Sequence, residues 1–126
     1  MTTIITGADV DPHDFEPSPR DSAAFTGADL VVMNGLGYDH WAEDALDTLD
    51  SDPAVVDAGQ VVGRTEGDNP HLWYDPEAVQ QVSAAVATEL KLLVPDAPDY
   101  LNEQVTTWAN ALRPYLDEIS SLHVAA

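Results

Sequence analysis

Ala28-Asp29-Leu30-Val31-Val32-Met33-Asn34-Gly35-Leu36-Gly37 decides the fold. Its centre, Leu30 to Met33, is a continuous apolar run, the pattern of a strand buried on both faces in a parallel sheet. The Asn34-Gly35-Leu36-Gly37 turn then predicts a helix from about Tyr38 to Leu49. Ala54-Val55-Val56-Asp57 repeats the signal as a further buried strand, and Val61-Val62 reads as a short fourth piece. On the other side, Thr2 to Thr6 is a β-branched run closed by Gly7 and reads as a strand. Ser18-Pro19-Arg20-Asp21 opens a brief helix: Ser18 is the cap, Pro19 the first helical residue, and Asp21 completes a capping box. This alternation predicts an α/β chain, a parallel β-sheet flanked by helices.

Two long helices follow. From Pro76 to about Leu93, the residues Val79, Val82, Val86, Leu90 and Leu93 form one apolar stripe at helical spacing. After Asp96-Ala97-Pro98-Asp99 a second stripe runs through Leu101, Val105, Trp108, Leu112, Tyr115, Ile119 and Leu122. A continuous helix there spans about 35 Å at 1.5 Å per residue, more than a small domain needs. Pro114 inside it is expected to bend it or to free a carbonyl one turn earlier. The chain therefore divides into an α/β part over residues 1–97 and a long helix over 98–126.

Charge narrows the function. The 126 residues carry 23 acidic and 4 basic side chains, a formal net charge of −19. Such a surface repels nucleic acid and anionic lipid and attracts cations, and it is also the solvation shell of salt-adapted proteins. With no cysteine there is no disulfide, thiolate metal site or thiol nucleophile. No apolar run approaches a membrane span, and Met1-Thr2-Thr3-Ile4-Ile5 does not read as a signal peptide.

Two loops share one signal. Pro12-His13-Asp14-Phe15-Glu16-Pro17 and Pro70-His71-Leu72-Trp73-Tyr74-Asp75-Pro76 each place a histidine after a proline and an aromatic two places on. Each then has an acid before a second proline and a helix start. Proline fixes its own φ and restricts the residue before it, so each imidazole leaves a stiff entry. Loops that follow parallel strands gather at the carboxyl ends of the sheet, where α/β proteins bind ligands. Two rigid imidazoles there suit a borderline-soft divalent ion, so His13 and His71 are the candidate metal ligands. Glu16, Asp14 and Asp75 are candidates either for further ligands or for acceptors of the other ring N–H, with Asp75 first of all the cap of the next helix. Phe15 and Trp73 read as packing that stiffens the loops. His40 and His123 lack the repeated setting.

On these residues the chain resembles the metal-binding solute-binding proteins of zinc and manganese ABC transporters, the cluster A-I or ZnuA/TroA-like family. The motifs that carry the resemblance are Asp11-Pro12-His13-Asp14-Phe15-Glu16-Pro17, Ala28 to Gly37, and Asn69-Pro70-His71-Leu72-Trp73-Tyr74-Asp75-Pro76, in that order. The resemblance implies two α/β lobes joined by a long helix, with Zn2+ or Mn2+ held in the cleft as transported cargo. It implies no catalysis, an ABC permease as partner, and an extracytoplasmic location, periplasmic or anchored at the cell surface. It places the first two histidine ligands on His13 and His71 and likens 98–126 to the interlobe helix. It also implies that a leader, a first strand and a first helix precede Met1, and that a second lobe with the remaining ligands follows Ala126. On that reading the chain is a first-lobe fragment with half of a metal site.

Two other readings are open from the residues. One is a metal-dependent hydrolase with Glu16 as general base, although no HExxH, nucleophile elbow or glycine-rich phosphate loop is present. The other is an interaction module that dimerises through the last helix.

Overall fold

A computed structural model describes residues 1–125. Its elements are α1 (Pro19–Thr26), β1 (Leu30–Met33), α2 (His40–Asp47), β2 (Ala54–Asp57), α3 (Ala58–Val61), α4 (Pro76–Leu93) and α5 (Pro98–Ala125). One-turn 3-10 helices lie at Pro12–Asp14 and Leu72–Tyr74. β1 and β2 pair in parallel, with Leu30 beside Ala54 and Met33 beside Asp57, so the chain has an α/β fold. The strands are parallel because α2 carries the chain back between them.

Residues 1–82 form one compact unit. Its interior has two centres. Phe25, Val31 and Ala42 bring α1, β1 and α2 together, with Ile4, Trp41, Leu46 and Leu49 packed around them. Ala58, Leu72 and Ala78 form the other, bordered by Leu36, Val62 and Val82. Neither strand is buried on both faces as its composition predicts. Val31 and Val56 are buried, but their ladder partners Val55 and Val32 are 42% and 52% exposed, so each face of the sheet is covered over one strand only.

Two strand expectations are corrected. Thr2 to Thr6 is not a strand: among the described residues no strand pairs with it to complete a ladder, and Ile4 packs against the core. Val61-Val62 is not a strand piece. The Asp57 carboxylate accepts a hydrogen bond from the Gln60 N–H at 3.0 Å, which starts α3 directly from the end of β2.

The helix starts follow the sequence. Ser18 accepts from the Asp21 N–H, and Asp21 accepts from the Ser18 N–H and hydroxyl, a complete capping box with Pro19 at the first turn. Those two hydrogen bonds from Ser18 hold the Asp21 carboxyl below its usual range. Asp75 accepts from the N–H groups of Glu77 and Ala78, capping α4 ahead of Pro76.

The second unit begins at Ser83 and contains the rest of α4 together with α5. α5 runs unbroken through Pro114 for 28 residues, about 42 Å at 1.5 Å per residue. None of its residues is buried, and Val105, Trp108, Tyr115 and Leu122 of the apolar stripe are exposed. No helix of the described residues is long and apolar enough to cross a membrane.

Candidate metal centre

The turn after β1 builds the wall of the site. Gly35, Leu36 and Gly37 have φ of 74°, 59° and 73°, three consecutive residues in the left-handed region. For Leu36 this conformation costs about 1–2 kcal/mol, and packing over Gly59 holds it there. A Cβ on Gly59 would sit 2.7 Å from the Leu36 Cγ, and one on Gly35 would collide with the Asp57 carboxylate. Both glycines are therefore required by contact. Asp39 straps the turn, accepting from the N–H groups of Asn34 and Gly35 at 2.7 and 2.8 Å. The next side chain, Tyr38, is thereby placed against the two histidine loops.

His13 and His71, 58 residues apart in sequence, meet here. Their Nε2 atoms are 3.3 Å apart and their ring centroids 5.4 Å. Each ring is held from behind in the same way. Asp11 Oδ1 lies 3.0 Å from both the backbone N and Nδ1 of His13. Asn69 Oδ1 lies 3.1 Å from the backbone N and 2.5 Å from Nδ1 of His71. A carboxylate only accepts, so His13 carries its proton on Nδ1. The same Asn69 oxygen takes the His71 backbone N–H and therefore faces a donating Nδ1 as well. Nε2 of each ring is thereby left outside these hydrogen bonds, facing the other histidine. The backbone and ring hydrogen bonds from His13 hold the Asp11 carboxyl below its usual range.

Aromatic rings close one side. Tyr38 stands edge-on to His13 at 5.3 Å and to His71 at 6.3 Å, and Trp73 lies 5.2 Å from Tyr38 and 5.3 Å from His71. Desolvation, then the charges of Asp11 and Asp39, raises the Tyr38 hydroxyl pKa and keeps it protonated. Phe15 reaches away from the histidines to Trp41 at 5.1 Å and anchors the His13 loop to α2.

Two of the acids named from the sequence, Asp75 and Glu16, make other contacts. Asp75 caps α4 and pairs loosely with Arg64 at 3.6 Å. Glu16 lines a cavity of about 730 Å³ with Trp41, His40 and Asp44, which neither His13 nor His71 lines. Asp11 and Asn69 hold the ring N–H groups instead, and the signal for them was the residue before each proline, Asx-Pro-His in both loops. His123 Nδ1 lies 3.2 Å from the Ile119 carbonyl oxygen within α5. Among the described residues, no group of three or more His, Cys, Asp or Glu side chains is arranged to hold a metal ion.

The chain is 28% identical over 102 residues to the manganese-binding lipoprotein MntA of Halalkalibacterium halodurans, a match covering 77% of this chain and 34% of that protein. It is 26% identical over 116 residues to the high-affinity zinc uptake system protein ZnuA of Bacillus subtilis, covering 77% and 36%. Among solved structures it is similar to the solute-binding protein FpvC of Pseudomonas aeruginosa in complex with Mn2+. The TM-score is 0.72 at 27% identity, over 86% of this chain and 42% of that one. The chain thus spans about a third of the length of these curated relatives. The family described as zinc-uptake complex component A, periplasmic (ZnuA), matches residues 1–122, and the chain belongs to that family.

Proposed function

We propose that the chain binds a divalent transition metal, Zn2+ or Mn2+, through Nε2 of His13 and of His71, as the solute-binding component of a metal ABC importer. The 3.3 Å separation of those two nitrogens carries the reading. Two nitrogens each about 2.0–2.1 Å from one tetrahedral zinc stand about 3.3–3.4 Å apart. The rings are therefore spaced for an ion before it arrives. The Nδ1 hydrogen bonds fix the tautomer that leaves Nε2 free, and the net charge of −19 draws cations toward the surface.

The metal is cargo, and the chain has no catalytic role in this reading. Two imidazoles supply half of a four-coordinate shell, so this chain alone binds zinc weakly, with water in the other positions. Residues 1–97 act as the metal-binding lobe and α5 as a connecting helix, residue 126 lying outside the described residues. The partner is the importer's permease and the location extracytoplasmic, in keeping with the lipoprotein and periplasmic descriptions of the relatives.

Calorimetry with Zn2+ and with Mn2+ on the parent chain, His13→Ala and His71→Ala tests this. Each substitution is expected to remove most of the binding. Zinc affinity unchanged by either one would overturn the ligand assignment.

A further inference from the structure

Apart from the histidine contact itself, one side-chain hydrogen bond among the described residues joins positions more than five apart in sequence. The Asn34 amide donates to the Pro70 carbonyl at 2.9 Å, across 36 residues. We propose that Asn34 is a positioning residue that sets the distance between His71 and His13, and through it the metal affinity. The inference rests on the metal-binding reading for its effect on affinity, but not for its effect on spacing.

Asn34 directly follows β1 and is held by several hydrogen bonds. Its N–H donates to Asp39 Oδ2 at 2.7 Å, its carbonyl accepts from the Gly59 N–H at 2.9 Å, and its amide also donates to the Gly35 carbonyl at 3.2 Å. The side chain is thus immobilised on the sheet before it reaches the histidine loop. What it grips is the Pro70–His71 peptide. That unit is planar, so fixing the Pro70 oxygen also fixes the His71 nitrogen at its other end. The Pro70 ring removes the freedom of φ on the near side. On the far side, the His71 N–H and Nδ1 share Asn69 Oδ1. The imidazole therefore inherits its place from the end of β1 through a short series of stiff joints.

Without the clamp, the His71 loop keeps Leu72 in the core but loses its tie to the sheet. The 3.3 Å spacing then becomes one of several. The test is a double-mutant cycle in zinc affinity over the parent chain, Asn34→Ala, His71→Ala and the pair, at one ionic strength, with circular dichroism to confirm folding. Asn34→Ala is expected to weaken zinc binding by about 10- to 100-fold when His71 is present, and to change little when it is absent. An equal loss in both backgrounds, or no loss, overturns the proposal. Should Asn34→Ala not fold, Asn34→Asp has nearly the same shape without the donor and is read by the same cycle. Metal-free NMR gives a second readout. A nuclear Overhauser contact between the His13 and His71 ring protons should be present in the parent and lost in the Asn34 variant. If the parent shows no histidine-dependent zinc binding, the metal reading fails, and a contact that persists without the Asn34 amide sinks the positioning role separately.

Discussion

The loops of His13 and His71 carry the same Asx-Pro-His motif and are fastened by different means. His71 is secured from both sides: Asn34 grips the preceding carbonyl, Leu72 is 5% exposed in the core, and Asp75 caps α4 directly downstream. Among the described residues, no side-chain hydrogen bond ties the His13 loop to the sheet. The His13 side chain is 56% exposed, and its loop is held by the Phe15–Trp41 contact and by Asp11. The residues before it, Thr2 to Thr6, make no ladder. The compensating difference is charge. His13 has a carboxylate behind it and His71 a neutral amide, and a carboxylate partner makes a ring nitrogen more basic toward a metal. His71 is the more firmly fastened of the two, and His13 is the one with a carboxylate behind its ring.

Leu72→Ala should break the fixed side most severely. Truncating this buried leucine is expected to cost about 2–5 kcal/mol of stability, seen in denaturant unfolding. Phe15→Ala, at a half-buried position, should loosen the other loop and cost clearly less. The charge difference comes next. Asp11→Asn is expected to weaken zinc binding by about tenfold or somewhat more, in the range of lost outer-shell partners, and Asn69→Asp should strengthen it. Equal, small effects of both would remove the distinction between the two histidines. Ser18→Ala opens the capping box below the His13 loop and should cost about 1 kcal/mol in thermal unfolding, with the zinc stoichiometry unchanged.

The smallest effect is one of pH. The Asp21 carboxyl is held below its usual range in the folded chain, so it favours folding above the unfolded carboxylate pKa. That contribution is lost as pH falls through the lowered folded value. Carbon-detected titration of Asp21 should show its pKa rising toward the ordinary value in Ser18→Ala.

Much of this was legible because it is local. The capping box, the two apolar strands and the Asx-Pro-His loops each lie within a few residues, and proline and cap chemistry act at that range. The pairing of His13 with His71 followed from the repeated motif and the parallel topology. What was not legible depends on contacts distant in sequence. A β-branched run such as Thr2 to Thr6 becomes a strand only beside a partner, and Val61-Val62 was pre-empted by the cap that Asp57 supplies. Asn34, Leu36 and Tyr38 take their roles from Pro70, Gly59 and the two histidines, none of them near in sequence. The acids Glu16 and Asp14 attracted attention by type. Asp11 and Asn69 were already in the motif, and their geometry set them apart.

In the proposed site, Nε2 of His13 and Nε2 of His71, 3.3 Å apart, take one ion between them. Long-range nitrogen–proton NMR of the imidazoles during zinc titration tests this most directly. Nε2 of His13 and of His71 should move together and saturate at the same zinc concentration, while both Nδ1 atoms keep their protons. Movement of one ring without the other, or a response at Nδ1, would contradict it.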